Sequence, residues 1–268
     1  MQKGPLISSG RTAEVFAWGA DCVLKLFYDW VPLEWADHEA ELAMQVARTS
    51  LPVPACQEMI DLEGRRGIVY QRLYGPTLLS VLSGNPIKLP YYAGMMADVH
   101  QQIHQIAMPM FPSLKNQLKN SIDQVHLLSG EVKTYCLIIL DDLPEDDKLC
   151  HFDFHPDQII MTEDGPYIID WGAACKGDPL ADVARTSLIV FTASVQHLPR
   201  LTRIMVTSGR EIMHKIYINQ ILKDEDRIAA KQLAQWKVPI AAARLNEQIP
   251  AEEAGLLTYL QKSYARAI

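Results

Sequence analysis

No run in this 268-residue chain approaches the roughly 20 consecutive apolar residues that cross a bilayer. The start, Met1-Gln2-Lys3-Gly4-Pro5-Leu6, has no apolar segment behind a basic end, so neither a membrane span nor a signal peptide is expected. Cysteines are few: Cys22, Cys56, Cys136, Cys150 and Cys175 are widely scattered, with no C-x-x-C pair. An odd number at such spacing argues against a disulfide framework and for reduced thiols in a cytoplasmic protein. Basic runs are missing too. With 25 Lys and Arg against 32 Asp and Glu, the formal charge is −7, which disfavours nucleic-acid binding through phosphate neutralisation. No G-x-x-x-x-G-K-[ST] occurs, so a Walker-type nucleotide loop is excluded. Internal repeats and low-complexity tracts are likewise absent. What remains, 49% hydrophobic and 21% charged residues, suits one large core or two smaller ones.

The order of periodicities divides the chain. Leu6-Ile7, Ala13–Trp18 and Cys22–Phe27 read as strands separated by turns at Ser8–Arg11 and Gly19–Asp21. A helix is expected from Leu33 to Arg48, stopped by Leu51-Pro52-Val53-Pro54. Strands follow at Glu58–Leu62 and Gly67–Arg72, around a turn at Glu63–Arg66. After the break at Gly75-Pro76 the pattern is mainly helical to about Leu140. Strand character returns at Ile159–Met161 and Tyr167–Ile169, and the chain is helical from Leu180. This is an α+β layout of two lobes: a small β-rich one over residues 1–73 and a larger, mainly helical one over residues 74–268.

The densest chemistry is His151-Phe152-Asp153-Phe154-His155-Pro156-Asp157-Gln158-Ile159-Ile160, followed after a short hairpin by Ile168-Ile169-Asp170-Trp171-Gly172. Two carboxylates at strand ends suit phosphoryl transfer, where one orients the attacking hydroxyl and takes its proton and the other holds Mg²⁺. An amide or carboxylate oxygen shortly after the first can take a second metal position. The competing readings are a polar hairpin at Thr162–Gly165 with incidental acids, or an H-x-D-x-H metal site of a hydrolase. The H-x-H-x-D spacing of binuclear hydrolases is absent.

His151–Ile160 resembles the H-G-D-x-H-P-x-N-hydrophobic motif of the aminoglycoside phosphotransferase and choline kinase families. Ile169-Asp170-Trp171 resembles their metal-binding I-D-W, and Gly177-Asp178-Pro179-Leu180-Ala181-Asp182 their G-D-P-x-x-D. The resemblance runs from the N-terminal strands to the helix after Asp182 and weakens beyond about residue 190. It implies a bilobal protein-kinase-like fold and an ATP- or GTP-dependent, Mg²⁺-requiring kinase acting on the hydroxyl of a small molecule. Asp153 is then the catalytic base and Asp170 the principal Mg²⁺ ligand, with His151 and His155 supporting the loop. Two residues depart from the motif: Phe152 replaces its glycine, and Gln158 its metal-binding asparagine. The second departure motivates an alternative, a nucleotide-binding protein with little or no transfer activity.

The N-terminal half supplies the remaining parts of the expected nucleotide site. Lys25 lies within the apolar strand Val23–Phe27. On the following helix, Trp35, Leu42, Ala43 and Val46 share a stripe that also contains Glu39, and an inward carboxylate requires a cation. Lys25–Glu39 is therefore the expected pair at the α- and β-phosphates, with Glu34 and Glu41 as fallbacks. The turn holding Ser9, Gly10 and Arg11 is expected to cover the phosphates, and main-chain groups near Gln71 and Leu73 to bind the base.

Other features carry simpler readings. His100 and His104, at i and i+4, lack an evident third ligand and sit among glutamines, which suggests a partly solvated helix. Trp236, Arg244, Leu245 and Glu247 read as core or surface positions of C-terminal helices. The one acidic run there, Asp224-Glu225-Asp226, is equally a solvated helix end, so a polycationic acceptor is disfavoured. The acceptors of the resembling families range from antibiotics to choline, homoserine and sugars, and the fold does not choose among them.

Overall fold

The computed structural model describes residues 2–192, 199–222 and 227–267. The Asp224-Glu225-Asp226 run lies outside these residues. The chain divides into two compact units, Met1–Val81 with Pro156–Ala173, and Leu82–His155 with Ala174–Ile268. This differs from a single division near residue 73. Residues 156–173 join the N-terminal unit because their backbone pairs with it: Met161 N–H donates to the Pro76 carbonyl at 2.9 Å and Ile168 N–H to that of Pro52 at 2.8 Å. Gly75 makes this approach possible, since a Cβ there would stand 2.0 Å from the Met161 oxygen.

The first unit is built on one antiparallel sheet of β1 (Lys3–Ser9), β2 (Ala13–Trp18), β3 (Cys22–Phe27), β4 (Cys56–Leu62) and β5 (Arg65–Gln71), in the order β1-β2-β3-β5-β4. The β4–β5 hairpin turns at Glu63-Gly64, both at positive φ, which a tight two-residue turn requires. Strand alternation sorts the side chains onto two faces. Cys22, Leu24, Leu26 and Val69 pack with Trp18 on one. On the other, Phe27 and Ile68 meet Ala36 and Ala40 of α1 (Leu33–Val46). That helix ends two residues before the expected Arg48. Its buried stripe starts at Ala36, and Trp35, in the first turn, is 59% exposed. Residues 159–168 add the hairpin β7 (Ile159–Thr162) and β8 (Gly165–Ile168).

The second unit is helical. After α2 (Leu78–Gly84), which runs from one unit into the other, come α3 (Leu89–Ile103), α4 (Leu114–Gln124) and α5 (Gly130–Asp142). Ser113 and Ser129 cap α4 and α5 by accepting from the Asn116 and Val132 N–H groups, as helix starts favour. The short strands β6 (Lys148–Cys150) and β9 (Cys175–Gly177) pair antiparallel and carry the chain into and out of the motif region. α6 (Pro179–Thr192), α7 (Arg200–Leu222), α8 (Arg227–Arg244) and α9 (Pro250–Ala265) complete it, with α8 packed on α4, α5, α6 and α9 and its Trp236 fully buried. Among the described residues, no helix is long and apolar enough to cross a membrane.

Candidate active site

In the first unit, alternation along β3 turns Lys25 to the α1 face, opposite Ile68 of β5 and two residues before Phe27. Glu39 projects from α1 onto the same face. The Lys25 Nζ lies 2.6 Å from Glu39 Oε1 and 2.8 Å from Asp170 Oδ1. Tyr70, also on this face, donates its hydroxyl to Glu39 Oε1 at 3.3 Å. Glu34 and Glu41, the alternative partners, are exposed. The closeness is built in: a Cβ on Gly172 would approach Glu39 Oε2 to 2.9 Å, so the glycine after Asp170-Trp171 leaves room for the carboxylate.

One ammonium is thus shared by two carboxylates. Burial alone would lower the Lys25 pKa, but Asp170 and Glu39 outweigh it and hold the amine protonated well above its ordinary range. Burial pushes the Glu39 carboxyl up, against the attraction of Lys25.

Asp170 has φ 66, a left-handed backbone that is uncommon outside glycine. Its Oδ2 accepts from Gln158 Nε2 at 3.4 Å, and the Ile169 N–H to Gln158 carbonyl bond (3.0 Å) keeps the two residues side by side. Trp171, buried at their side, donates its indole N–H to the Ile168 carbonyl. The Ser9, Gly10 and Arg11 turn is exposed and closed by a Gly10 N–H to Ala13 carbonyl bond of 2.8 Å. At the far end of β5, the Gln71 N–H is donated to the Ala55 carbonyl at 2.8 Å, and Leu73 follows in an intermediate environment.

In the second unit, residues 151–154 follow β6 and are gripped by α6. Asp182 Oδ2 accepts from the His151 N–H at 2.7 Å, and Oδ1 from the Phe152 N–H at 2.9 Å. Thr186 donates its hydroxyl to the Phe154 carbonyl at 2.8 Å. His151 is fully buried, and its Nδ1 accepts the Asp153 N–H at 3.3 Å. His155 Nε2 stands 3.9 Å from Asp153 Oδ2.

His100 and His104 correct the reading of a solvated helix: both are buried, whereas Gln102 and Gln105 are exposed. Their third partner is Asp182, distant in sequence, whose Oδ2 lies 2.9 Å from His100 Nε2 and 3.2 Å from His104 Nε2. Burial chiefly lowers His100 to a pKa of about 4, so its ring is neutral at pH 7, with Tyr217 hydroxyl 2.5 Å from Nδ1. Burial would raise Asp182, but the two histidines overcome it and hold the carboxyl well below its ordinary range. The three groups lie close enough to share an ion. Their carboxylate, however, already serves two backbone N–H groups of the 151–154 loop, which makes the cluster a hydrogen-bonded anchor.

Arg185, Arg244, Glu247 and Glu252 also meet in this unit, a grouping that sequence reasoning missed. Asp182 and Arg185 share a helix face at i and i+3, a faint signal for Arg185. Nothing local marks Arg244 or Glu247. The G-D-P segment has a capping role: Asp178 Oδ1 accepts the Leu180 N–H, and Oδ2 accepts the Trp236 indole N–H at 2.7 Å. A separate cavity of about 600 Å³ is lined by Lys115, Asn116, Glu145, Lys176 and Trp236 among others, and does not reach Asp153.

The model of the phosphotransferase enzyme family matches residues 4–205, three quarters of the chain. The chain belongs to that family. Solved phosphotransferase structures share the fold at low identity. A thermostable mutant of aminoglycoside phosphotransferase APH(4)-Ia, in ternary complex with AMP-PNP and hygromycin B, is 16% identical with a TM-score of 0.67, over 98% of this chain and 91% of that one. The type VIII aminoglycoside-3'-phosphotransferase is 18% identical with a TM-score of 0.61, over 88% and 90%. APH(3'')-Id of Streptomyces rimosus is 15% identical with a TM-score of 0.54, over 85% and 89%. No curated protein matches in sequence. The α+β kinase-like fold expected from the motifs is the fold of these phosphotransferases, with a five-stranded sheet in one unit and a mainly helical second unit.

Proposed function

We propose that this protein transfers the γ-phosphate of ATP or GTP to a hydroxyl group of a small molecule. The observation that carries the reading is the Lys25 ammonium held between Glu39 and Asp170. A buried-side cation fixed by two acids, one of them on an open loop, is what a phosphate clamp beside a metal ligand requires. Lys25 engages the α- and β-phosphates, the Ser9-Gly10-Arg11 turn covers them with backbone N–H groups, and main chain near Gln71 and Leu73 receives the base. Asp153 accepts the proton of the attacking hydroxyl, and His151 and His155 orient its loop. The first unit is then the nucleotide side, and the second supplies the base and the acceptor contacts.

Asp170 and Gln158 fit Mg²⁺ by donor chemistry, since both offer hard oxygens and Asp170 is 40% exposed at its side chain. A bound Mg²⁺ neutralises charge on the phosphates. Gln158 turns its amide nitrogen towards Asp170, and rotation of the amide by half a turn presents Oε1 instead. Glutamine carries that oxygen one methylene further out than the asparagine of the motif. Asp170 is therefore the firm ligand and Gln158 the weak one.

The acceptor is a small-molecule alcohol, and the fold does not choose among such acceptors. Structural relatives are named for hygromycin B and streptomycin complexes. In this chain, Glu247 and Glu252 are both paired to arginine.

Two measurements test this reading. Purified protein gains thermal stability with Mg²⁺ and ATP or GTP by mass action, about 2.7 kcal/mol at a ligand concentration 100 times Kd. No shift with any nucleoside triphosphate at millimolar concentration overturns nucleotide binding. In a Mg²⁺ titration at fixed ATP, Gln158→Asn reaches half-maximal rate at a lower Mg²⁺ concentration than wild type. A lower requirement in wild type shows that glutamine already serves, and removes the main support for a protein that binds nucleotide without transfer.

A further inference from the structure

Phe152 stands where the motif has glycine, and its backbone takes the conformation that favours glycine, φ 60. Its ring is buried. A bulky residue in the left-handed region persists only where its surroundings over-determine it. Here the surroundings are specific. The Phe152 N–H is held by Asp182. The Phe152 carbonyl accepts from Arg185 Nε, and the same guanidinium lies over the Phe152 ring at 4.8 Å. That carbonyl belongs to the peptide plane joining Phe152 to Asp153, whose N–H is donated to His151 Nδ1. The plane is pinned at both ends, and its tilt sets the direction in which the Asp153 side chain leaves the backbone.

Arg185 is fixed in turn. Its Nη1 lies 2.7 Å from Glu247 Oε1, and Glu247 Oε2 lies 3.1 Å from Arg244 Nη1. Arg244 is anchored on both oxygens of Glu252, at 2.5 and 2.8 Å. A row of alternating charges thus leads from the C-terminal helices, beyond the span of the family match, to the peptide before Asp153.

We propose that Arg185, held by Glu247, is a positioning residue that locks the Phe152–Asp153 peptide in the left-handed geometry and so aims the Asp153 carboxylate. The role needs a planar fork with separate donors, one for the carbonyl and one for Glu247, which a lysine ammonium does not provide. The inference rests on the reading of Asp153 as the base.

The test uses the full chain and follows turnover of Mg²⁺–ATP, with or without an acceptor from a hydroxyl-compound screen, beside nucleotide affinity from thermal shift. Arg185→Lys lowers kcat about 10- to 100-fold, the scale of a misplaced catalytic group, with nucleotide affinity unchanged. Adding Phe152→Gly to Arg185→Lys recovers part of that loss, because glycine takes φ 60 unaided, even though removal of the buried ring lowers Tm. A purely structural role gives the opposite order, with the less stable double variant also the slower one. Should Arg185→Lys fail to fold, Glu247→Gln, which keeps the guanidinium, carries the same expectation with a smaller loss. A crystal structure of whichever variant folds supplies a readout independent of turnover. A turned Phe152–Asp153 peptide supports the clamp, and an unmoved one overturns it. Wild-type turnover matched by Arg185→Lys sinks this inference alone, whereas a wild type that turns over no nucleotide sinks the functional reading.

Discussion

Asp153→Asn lowers turnover about 10²- to 10⁴-fold, the usual contribution of a positioned general base, and leaves the nucleotide-induced thermal shift in place. Asparagine keeps the shape of the side chain and removes only its charge and its capacity to take a proton. The backbone of the loop is secured independently of that carboxylate. Asp182 holds the His151 and Phe152 N–H groups, Thr186 holds the Phe154 carbonyl, and His151 holds the Asp153 N–H. The buried Arg244 cation keeps Glu247 and Glu252 whatever stands at position 153. The substitution therefore separates chemistry from folding. Steady-state rates with the acceptor found by screening, together with Tm with and without Mg²⁺–ATP, give the result. Full activity in Asp153→Asn removes Asp153 from the role of base.

Lys25→Met abolishes the thermal gain from Mg²⁺–ATP and itself destabilises the fold by about 3–5 kcal/mol, the cost of leaving one partner of a buried pair alone. Methionine matches the apolar stem of lysine, so packing against Phe27 changes little. The loss falls on Glu39, which is 7% exposed and keeps only the weaker Tyr70 contact. Without its cation, Glu39 meets burial unopposed and its folded-state pKa rises further above the ordinary carboxylate range. A carboxyl whose folded pKa lies above its unfolded value costs stability as pH rises between the two, since the unfolded state then releases its proton more readily. The deficit of Lys25→Met relative to wild type accordingly grows from pH 5 to pH 8. Urea unfolding of both proteins across that range measures it. An equal deficit at both pH values shows that the Glu39 charge does not depend on Lys25, and retained nucleotide binding removes Lys25 from the phosphate site.

Much of the first unit was legible because its signals are local. Turn residues and period-two alternation marked β2, β3 and the β4–β5 hairpin to within a residue or two. Alternation also decides which side chains share a face with α1, and Glu39 was found because a carboxylate inside an apolar helical stripe has to meet a cation. Trp35 escaped the same logic. It lies on the stripe by angle, yet it sits in the first turn of α1 and is exposed. Residues 156–173 were read with the helical half by their order in the chain. They belong with the N-terminal unit by hydrogen bonding to Pro52 and Pro76, a pairing that no local pattern encodes.

Short motifs with obligatory chemistry, His151–Ile160, Ile169–Trp171 and Gly177–Asp182, by themselves determined the family and its kinase-like fold, because their spacing places rare residue types in one order. Only the tertiary structure decided who their partners are. His100 and His104 looked solvated beside their glutamines and proved to be buried against Asp182, 78 positions beyond His104. Arg244 and Glu247, unremarkable on amphipathic helices, joined Arg185 behind the loop that carries Asp153. Periodicity reports which way a side chain faces along its own element. Which distant charge it meets there depends on how several elements pack, and in a buried setting that meeting determines whether the charge is tolerated at all.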